Sequence, residues 1–322
     1  MQELNDHTYV LGIDSGGTKY LVRAAAPDGR LLGEYRGPCC SHYRFPEEEA
    51  KRRIAENIAR CLETFGGRPG DCAALVCGTT GYDSPEDGEL LQRMYTGLAG
   101  FHCPVRVMND VEIAFHTACG SEGVLMLAGT GSICYGINSR GEAVRVGGWP
   151  SGVFGDEGSG RYIDALALRH FSRYMDGRRL DSPLLREIEE VTRVKTRKQL
   201  MDYAVSLGQG AIPTPGLGPA VTRAASAGDP YAEAILRDAA HCLSELAAEV
   251  ILALYPEDCA DIPVGIWGSV LIQSLPLRGM FWQELKARFP GARLLVPDKD
   301  AAQGAVEMAV RIARTGKSGM QG

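Results

Sequence analysis

The chain opens on an apolar run that ends in an acid and a pair of glycines. Residues 9–13 are apolar, which predicts a buried strand, and Asp14 follows them directly. Gly16 and Gly17 then separate this run from a second apolar-rich run at residues 20–26, so the pattern predicts a hairpin. A turn with so few side chains exposes its backbone N–H groups to an anion. The alternative is a plain hairpin in which glycine only supplies positive φ.

The same pattern recurs in the second half of the chain. Residues 124–137 contain an apolar strand, the turn Gly-Thr-Gly-Ser and a second apolar strand. Thr18 and Thr130 are each followed, at the same spacing, by a second turn at Gly29 and Gly141 respectively. A strand–turn–strand–turn–strand unit used twice indicates an internal duplication. It also predicts two phosphate-binding turns.

Between these hairpins, strand patterns alternate with helix patterns. Residues 72–77 and 105–108 are short apolar strands, and each is followed by a helical pattern. This alternation predicts an α/β fold with an open sheet, in which ligands bind at the carboxyl ends of strands. Asp14, Gly78 and Asp110 all lie at such ends.

Length, charge and cysteine content indicate which classes of protein and site do not fit this chain. The chain has 322 residues, which favours two domains, and its net charge of −6 argues against a nucleic-acid partner. The first eight residues are polar and no apolar stretch reaches membrane-spanning length, so we expect neither a signal peptide nor a membrane contact, and a cytoplasmic location. The ten cysteines contain no Cys-x-x-Cys pair, which favours reduced thiols over a zinc or redox site.

Glycine- and acid-rich pieces of the chain resemble the sugar kinase/Hsp70/actin superfamily. They are residues 12–18, Asn-Asp at 109–110, Gly-Thr-Gly-Ser at 129–132, and Gly-Gly-Trp at 147–149 followed by Gly-Asp-Glu-Gly-Ser at 155–159. Within this superfamily the chain is most similar, over nearly its whole length, to the N-acetylglucosamine kinase-like branch of the BadF/BadG/BcrA/BcrD ATPase group.

The resemblance implies two duplicated ribonuclease-H-like domains, as in actin-like ATPases, with a nucleotide and sugar cleft between them. We expect the first domain over residues 1–112 and the second over residues 113–299. Residues 300–322 would form a C-terminal helix that returns to the first domain. We also expect a homodimer.

The resemblance also implies ATP and Mg²⁺ as cofactors and assigns residues to them. Asp110 would be the base that accepts the proton of a sugar hydroxyl, and Asp14 would hold Mg²⁺ through water. The alternative for Asp110 is the N-cap of a helix that begins at Val111. The expected nucleotide contacts are Gly16, Gly17, Thr18, Lys19, Gly129, Thr130, Gly131, Ser132, Gly265, Gly268 and Ser269. Lys19 could instead be a solvated hairpin lysine, and residues 265–269 a plain strand-to-helix turn.

The sugar contacts implied by the resemblance are Ser41, His42, Asn109, Trp149, Asp156 and Glu157. Paired carboxylates suit vicinal hydroxyls, because each oxygen accepts a hydrogen bond. We favour Asp156 over Glu157, which could instead be a first-turn helix acid. Trp149 could form the floor of the sugar pocket or belong to the core. Ser41 replaces an asparagine of related kinases, which leaves the preference for an N-acetyl group open.

The favoured function is therefore an ATP-dependent kinase that acts on a small-molecule hexosamine such as N-acetylglucosamine, glucosamine or N-acetylmuramic acid. One alternative is an ATPase that activates an acyl-CoA dehydratase or reductase by electron transfer. Those activators carry a cluster-binding cysteine about three residues after the carboxylate that matches Asp110, where this chain has Ile113. The other alternative is a non-catalytic sugar-binding protein of the same fold.

Overall fold

The computed structural model describes residues 7–17, 19–149, 154–178, 180–256 and 260–315. The chain divides into two compact units. The first comprises Met1–Gly120 with Pro297–Gly322, and the second comprises Ser121–Val296. Each unit contains one five-stranded sheet with helices packed on it. The predicted α/β fold with two duplicated domains is confirmed.

Both units are built from alternating strands and helices over the described residues. The strands are β1 Tyr9–Ser15, β2 Lys19–Ala25, β3 Leu31–Pro38, β4 Cys72–Thr79, β5 Val105–Asn109, β6 Gly123–Ala128, β7 Ser132–Ile137, β8 Ala143–Gly147, β9 Ile262–Trp267 and β10 Ala292–Leu295. The helices are α1 Glu47–Glu63, α2 Pro85–Thr96, α3 Asp110–Cys119, α4 Gly160–Met175, α5 Pro183–Thr192, α6 Arg197–Gly208, α7 Gly218–Ser226, α8 Pro230–Leu254, α9 Ser269–Gln273, α10 Leu275–Arg288 and α11 Ala301–Thr315.

The two sheets have the same topology. In the first, the strand order is β3-β2-β1-β4-β5, with β1 antiparallel to β2 and parallel to β4. In the second, β8-β7-β6-β9-β10 repeats that order, and β6 is likewise antiparallel to β7 and parallel to β9. The strand–turn–strand–turn–strand unit predicted from the sequence is therefore present twice. The second unit differs by carrying α4 to α8 between β8 and β9, where the first carries α1 between β3 and β4.

Continuous apolar sequence explains why the central strands are buried. Every residue of β4 is buried, and in β1 only Asp14 is partly exposed. Such strands are typical of sheet interiors covered on both faces. In the second unit the long helix α8 buries an alanine- and leucine-rich stripe, and Asp229 caps its first turn. No helix among the described residues is both long and apolar enough to cross a membrane.

The helix at the end of the chain packs against the beginning of the chain. Within the first unit α11 contacts β1, β4 and α3. The boundary predicted near residue 112 falls inside α3, whereas the structure places it after Gly120. The physical reason is that α3 is one continuous helix whose buried residues pack in the first unit. The second boundary lies at Pro297, close to the predicted residue 300.

Two glycines allow α11 to approach so closely. A Cβ atom on Gly12 of β1 would lie 2.4 Å from the Val306 backbone nitrogen and 2.5 Å from the Ala302 carbonyl oxygen. On the other side, a Cβ atom on Gly304 would overlap the hydroxyl of Thr117 in α3. Backbone therefore meets backbone at Gly12, where no flexible side chain could give way.

We expect Gly12→Ala to lower the free energy of unfolding by about 1–3 kcal/mol, because the added methyl group must push α11 away from β1. Urea unfolding followed by circular dichroism measures the change. Gly70→Ala is the matched control, since its Cβ atom would meet nothing within 4 Å. Equal stabilities of the two variants would show that α11 does not pack on β1 in solution.

Candidate active site

The first glycine turn joins β1 to β2. Asp14 lies near the end of β1, partly buried, opposite Gly78 of β4. The turn is closed by a hydrogen bond of 3.0 Å from the Gly16 N–H to the Lys19 carbonyl oxygen. Burial raises the pKa of Asp14, and the charge of the exposed Lys19 opposes that rise. The predicted phosphate contact Thr18 lies outside the described residues.

Asp110 begins α3 at the carboxyl end of β5, and it is not the N-cap. The Asn109 side chain takes that position, because its Oδ1 accepts the Val111 N–H at 2.8 Å. The Asn109 Nδ2 donates to the Tyr82 carbonyl oxygen at 2.8 Å. The N-cap alternative for Asp110 is therefore wrong, and its carboxylate is not needed to begin the helix. In Asn109, by contrast, both the amide oxygen and the amide nitrogen are hydrogen-bonded to backbone groups.

Carboxylates cluster at this edge of the first sheet. Burial is the main reason that the pKa of Asp110 is raised to about 6, and the charges of Asp14 and Asp83 raise it further. Burial also raises the pKa of Asp14, with a contribution from Asp300 and opposition from Lys19. A carboxylate that titrates near neutral pH suits general-base work. A group of like charges in a low-dielectric site favours a bound divalent cation.

A buried histidine lies in the first unit beside the loop that follows β4. The His42 side chain is 7% exposed, its Nε2 lies 3.5 Å from Asp87 Oδ1, and its ring packs on Tyr43 with centroids 4.2 Å apart. Nδ1 makes no hydrogen bond to a described residue, and Asp87 is the polar neighbour of Nε2. Gly81 permits the packing, because a Cβ atom there would lie 2.8 Å from His42 Cε1. Ser41 is buried, and its hydroxyl accepts the Tyr43 N–H at 3.3 Å.

The second glycine turn, between β6 and β7, is held by Asp156. The Gly129 N–H donates to the Gly131 carbonyl oxygen at 2.9 Å, which closes the turn. Asp156 is 5% exposed, and its Oδ1 accepts the Ser132 N–H at 3.2 Å. Its Oδ2 accepts from the Arg161 guanidinium, also at 3.2 Å. Both carboxylate oxygens therefore support the turn, and the sugar contact of Asp156 stays a prediction.

The backbone around Asp156 fixes this arrangement. Asp156 has φ of 68°, a left-handed conformation that non-glycine residues rarely adopt. A Cβ atom on Gly131 would lie 2.3 Å from Asp156 Oδ1, so the turn and the carboxylate touch. The N-terminus of α4 completes the contact, because the Gly160 N–H donates to the Gly129 carbonyl oxygen at 2.8 Å. The Arg161 N–H donates to the carbonyl oxygen of the next turn residue at 3.3 Å.

Glu157 is the accessible acid of the pair. Its carbonyl oxygen accepts the Ser132 hydroxyl at 2.7 Å, while the residue is exposed. α4 begins only at Gly160, is capped by Ser159, and has no acid in its first turn. The first-turn alternative for Glu157 is therefore wrong. Glu157 therefore presents an exposed carboxylate, whereas that of Asp156 is buried.

Trp149 is 65% exposed, so the alternative that it belongs to the core is wrong. It lies beside Gly155, where a Cβ atom would come within 3.1 Å of the tryptophan Cβ. Residues 150–153, between these two positions, lie outside the described residues. An exposed indole suits the apolar face of a sugar ring.

A cavity of about 270 Å³ lies in the second unit between α7 and α9. Its lining combines hydroxyl groups of Thr222, Ser269 and Ser274 with the apolar side chains of Ile163 and Val270. The Thr222 hydroxyl donates to the Ser274 hydroxyl at 2.8 Å. The mixture of an apolar wall and a few hydroxyl groups is typical of small-molecule sites.

Of the two glycines predicted to contact adenosine, only Gly268 lies at a turn. It has φ of 87°, and a Cβ atom there would lie 2.3 Å from the Ala128 carbonyl oxygen, so glycine is required between β9 and α9. Gly265 is buried within β9, opposite Leu125 on one side and Leu295 on the other. Its backbone pairs with strands on both sides, and the nucleotide contact of Gly265 stays a prediction.

Several residues of the site were missed by sequence reasoning. Asp83 and Asp300 raise the pKa of the two acids, and Arg23 holds Asp300 at 2.7 Å. Arg161, which neutralises Asp156, carried a signal in its position just after the Gly-Asp-Glu-Gly-Ser loop. Asp83, Asp300 and Arg23 carried no such signal, because these residues are far apart in sequence and meet only in the folded unit.

The chain is similar to known proteins in sequence and in structure. The model of the BadF/BadG/BcrA/BcrD ATPase family matches residues 11–309. The chain is 31% identical over 303 residues to the N-acetylmuramic acid/N-acetylglucosamine kinase of Clostridium acetobutylicum, covering 94% of this chain and 98% of the relative. It is 27% identical over 310 residues to the N-acetyl-D-glucosamine kinase of Dictyostelium discoideum, covering 93% and 97%. A Chromobacterium violaceum structure, provisionally assigned as an N-acetylglucosamine kinase, superposes with a TM-score of 0.72 at 25% identity, covering 93% and 98%.

The raised pKa of Asp110 predicts a stability change with a defined pH window. The folded protein holds a proton between about pH 4 and pH 6 that the unfolded chain releases, so stability falls as pH rises through this window. Asp110→Asn removes that loss. We expect the variant to be more stable than the parent by about 1–3 kcal/mol at pH 7.5 and equally stable at pH 4.

Urea unfolding at both pH values, in buffer with a chelator, measures the difference. Glu89→Gln, which changes an exposed acid on α2, is the control and should alter stability little at either pH. A stabilisation of Asp110→Asn that is the same at pH 4 and pH 7.5 would contradict the raised pKa.

Proposed function

The chain belongs to the BadF/BadG/BcrA/BcrD ATPase family, and we propose that this sugar kinase transfers the γ-phosphate of ATP to a hydroxyl group of a hexosamine. The acceptor is a sugar of the N-acetylglucosamine, glucosamine or N-acetylmuramic acid type. The observation that carries the proposal is Asp110, a carboxylate with a pKa of about 6 at a strand end, where Asn109 provides the N-cap of the following helix.

Phosphoryl transfer requires a positioned nucleophile and stabilised phosphate charge more than covalent help from the protein. Asp110 accepts the proton of the attacking sugar hydroxyl as the bond to phosphorus forms. With a pKa near 6 it is ionised at neutral pH yet retains basicity above that of an ordinary carboxylate. Its burial also limits competition from water.

Asp14 is the residue best suited to hold Mg²⁺. Burial and neighbouring acids raise its pKa, which means that its ionised form gains from a nearby cation. Magnesium keeps several waters and takes one or two protein carboxylates, so Asp14 would bind it through water. The ion, when bound with ATP, neutralises charge on the phosphates.

The nucleotide is assigned to the two glycine turns and to the cavity of the second unit. Backbone N–H groups of Gly16 and Gly17, with Lys19, serve the phosphates in the first turn, and residues 129–132 do so in the second. The cavity beside Ser269 is lined by apolar walls and hydroxyl groups that suit a flat base such as adenine.

The sugar is assigned to His42, Glu157 and Trp149. The imidazole of His42 is buried and its Nδ1 makes no hydrogen bond to a described residue, a state that a hydroxyl or amide group of a ligand would relieve. Glu157 offers an exposed carboxylate, whereas Asp156 is committed to the second turn. Asn109 contributes mainly by placing Asp110, and Ser41 by shaping the turn that carries His42.

The surroundings of Ile113 argue against the electron-transfer alternative. Ile113, at the position of the activators' cluster cysteine, is fully buried. It packs on Gly78, where a Cβ atom would lie 2.5 Å from its Cγ1 atom. The position therefore fills the core of the first unit. A sugar-binding protein without catalysis is distinguished by an assay of sugar-dependent ADP release.

We expect magnesium-ATP and a hexosamine to give sugar-dependent ADP release that Asp110→Asn lowers by about 10²–10⁴-fold. ATP binding should change little, because Asp110 touches neither glycine turn in this assignment. Asp14→Asn should instead weaken both the magnesium dependence and the rate. Coupled ADP release with a panel of hexoses, together with calorimetry for ATP, measures both.

If Asp110→Asn kept more than about a tenth of the parent rate, Asp110 would not be the base. If no hexosamine stimulated ADP release while calorimetry detected sugar binding, the non-catalytic alternative would hold. The variant's stability at pH 7.5 serves as the folding control.

Because Asp156 and Glu157 have different surroundings, we expect their substitution to weaken the binding of different substrates. Asp156→Ala should weaken ATP affinity, because the second turn loses the acceptor for the Ser132 N–H and Arg161 loses its partner. Glu157→Gln should raise the KM for the sugar while leaving ATP affinity nearly unchanged. Steady-state kinetics with each substrate varied in turn tests both, and a KM effect on the sugar alone for Asp156→Ala would refute its supporting role.

A further inference from the structure

Two thiols of the first unit lie close enough to be crosslinked. Cys72 is the first residue of β4, and Cys103 lies in the loop that leads into β5. Their Sγ atoms are 3.6 Å apart, although the residues are 31 positions apart in sequence. Cys72 is 3% exposed, whereas Cys103 is partly exposed. A disulfide would require the sulfur atoms to approach by about 1.5 Å, which a change of side-chain torsion in the loop can supply.

We propose that Cys72 and Cys103 form a reversible disulfide when the protein meets a small disulfide such as oxidised glutathione. The exchange reaction requires one thiol that ionises readily, and the two thiols differ in pKa. The hydrogen bond with Cys72 lowers the pKa of Cys103, while burial raises the pKa of Cys72. The accessible thiol is therefore also the one that ionises first, and the thiolate is the nucleophile.

The reaction proceeds by two exchange steps. The Cys103 thiolate attacks one sulfur of the small disulfide, which forms a mixed disulfide and releases one small thiolate. Cys72 then loses its proton and attacks the Cys103 sulfur, which forms the internal disulfide and releases the second small thiolate. The protein gives up two electrons and two protons, and the small disulfide is reduced to two thiols.

The position of the pair defines the effect of the bond. Cys72 lies at the beginning of β4, and Leu75 of that strand pairs with Val105 of β5. Asp110 follows the opposite, carboxyl end of β5, and Asp14 of β1 lies opposite Gly78, about 20 Å along β4 from Cys72 at roughly 3.3 Å per residue. The disulfide would therefore tie the beginnings of two adjacent strands and stabilise the first unit, without touching the groups assigned to catalysis.

The test uses the full chain, reduced and then treated with oxidised glutathione. We expect two of the ten thiols to be lost, a Cys72–Cys103 linked peptide in the mass spectrum, and a rise in melting temperature of about 5 °C, all reversed by dithiothreitol. Cys103→Ser should abolish the linked peptide and the rise. Cys242→Ser is the matched control, since it removes another partly buried thiol, 3.7 Å from the Tyr162 hydroxyl, and should leave both unchanged.

The proposal is overturned if the oxidised parent contains Cys103 only as a mixed disulfide with glutathione, or if Cys103→Ser shows the same rise in melting temperature. Peptide mapping of the parent chain decides the question even if a variant fails to fold. Sugar-dependent ADP release of the parent, where present, should be equal before and after oxidation, and a loss above about twofold would contradict the placement of the bond away from the site.

Discussion

Two partly buried carboxylates at the same edge of one sheet set the main physical constraint on this molecule. Ionised Asp14 and Asp110 are costly there, because burial and their mutual repulsion act in the same direction. The surroundings limit the cost without neutralising it. Lys19 supplies a positive charge at the turn, and Arg23 binds Asp300, the further acid that faces Asp14. The negative charge that remains uncompensated gives the site an affinity for cations and for protons.

The duplicated turns meet the same geometric requirement with different chemistry. In the first unit the acid next to the turn, Asp14, is part of the strand and keeps a raised pKa. In the second unit the acid, Asp156, comes from the loop before α4 and is paired with Arg161. The first turn therefore remains electrostatically unsatisfied, whereas the second is a closed hydrogen-bonded structure. The two turns therefore share a backbone arrangement, and the acid beside each turn determines its charge and hydrogen bonding.

Much of the fold could be predicted because it depends on local pattern. Apolar strands flanking glycine turns specify the two hairpins, and the position of Asp110 at a strand end follows from the same pattern. The roles of individual side chains could not be read in this way. Asn109 and Asp110 are equally good N-caps by residue type, and only the backbone conformation shows which one caps. The hydrogen bond from the Ser132 N–H to Asp156 could not be predicted, because the left-handed φ of Asp156 has no signature in sequence.

The close packing of α11 on Gly12 has a consequence for the order of events during synthesis. Residues 121–296 form the second unit from one uninterrupted stretch, whereas the first unit needs its opening strand and residues 301–315 together. On the ribosome, the second unit has all of its parts before the first does. Until α11 emerges, one face of the β1–β4 pair stays uncovered. The half of the protein that is made first is thus the half that finishes folding last.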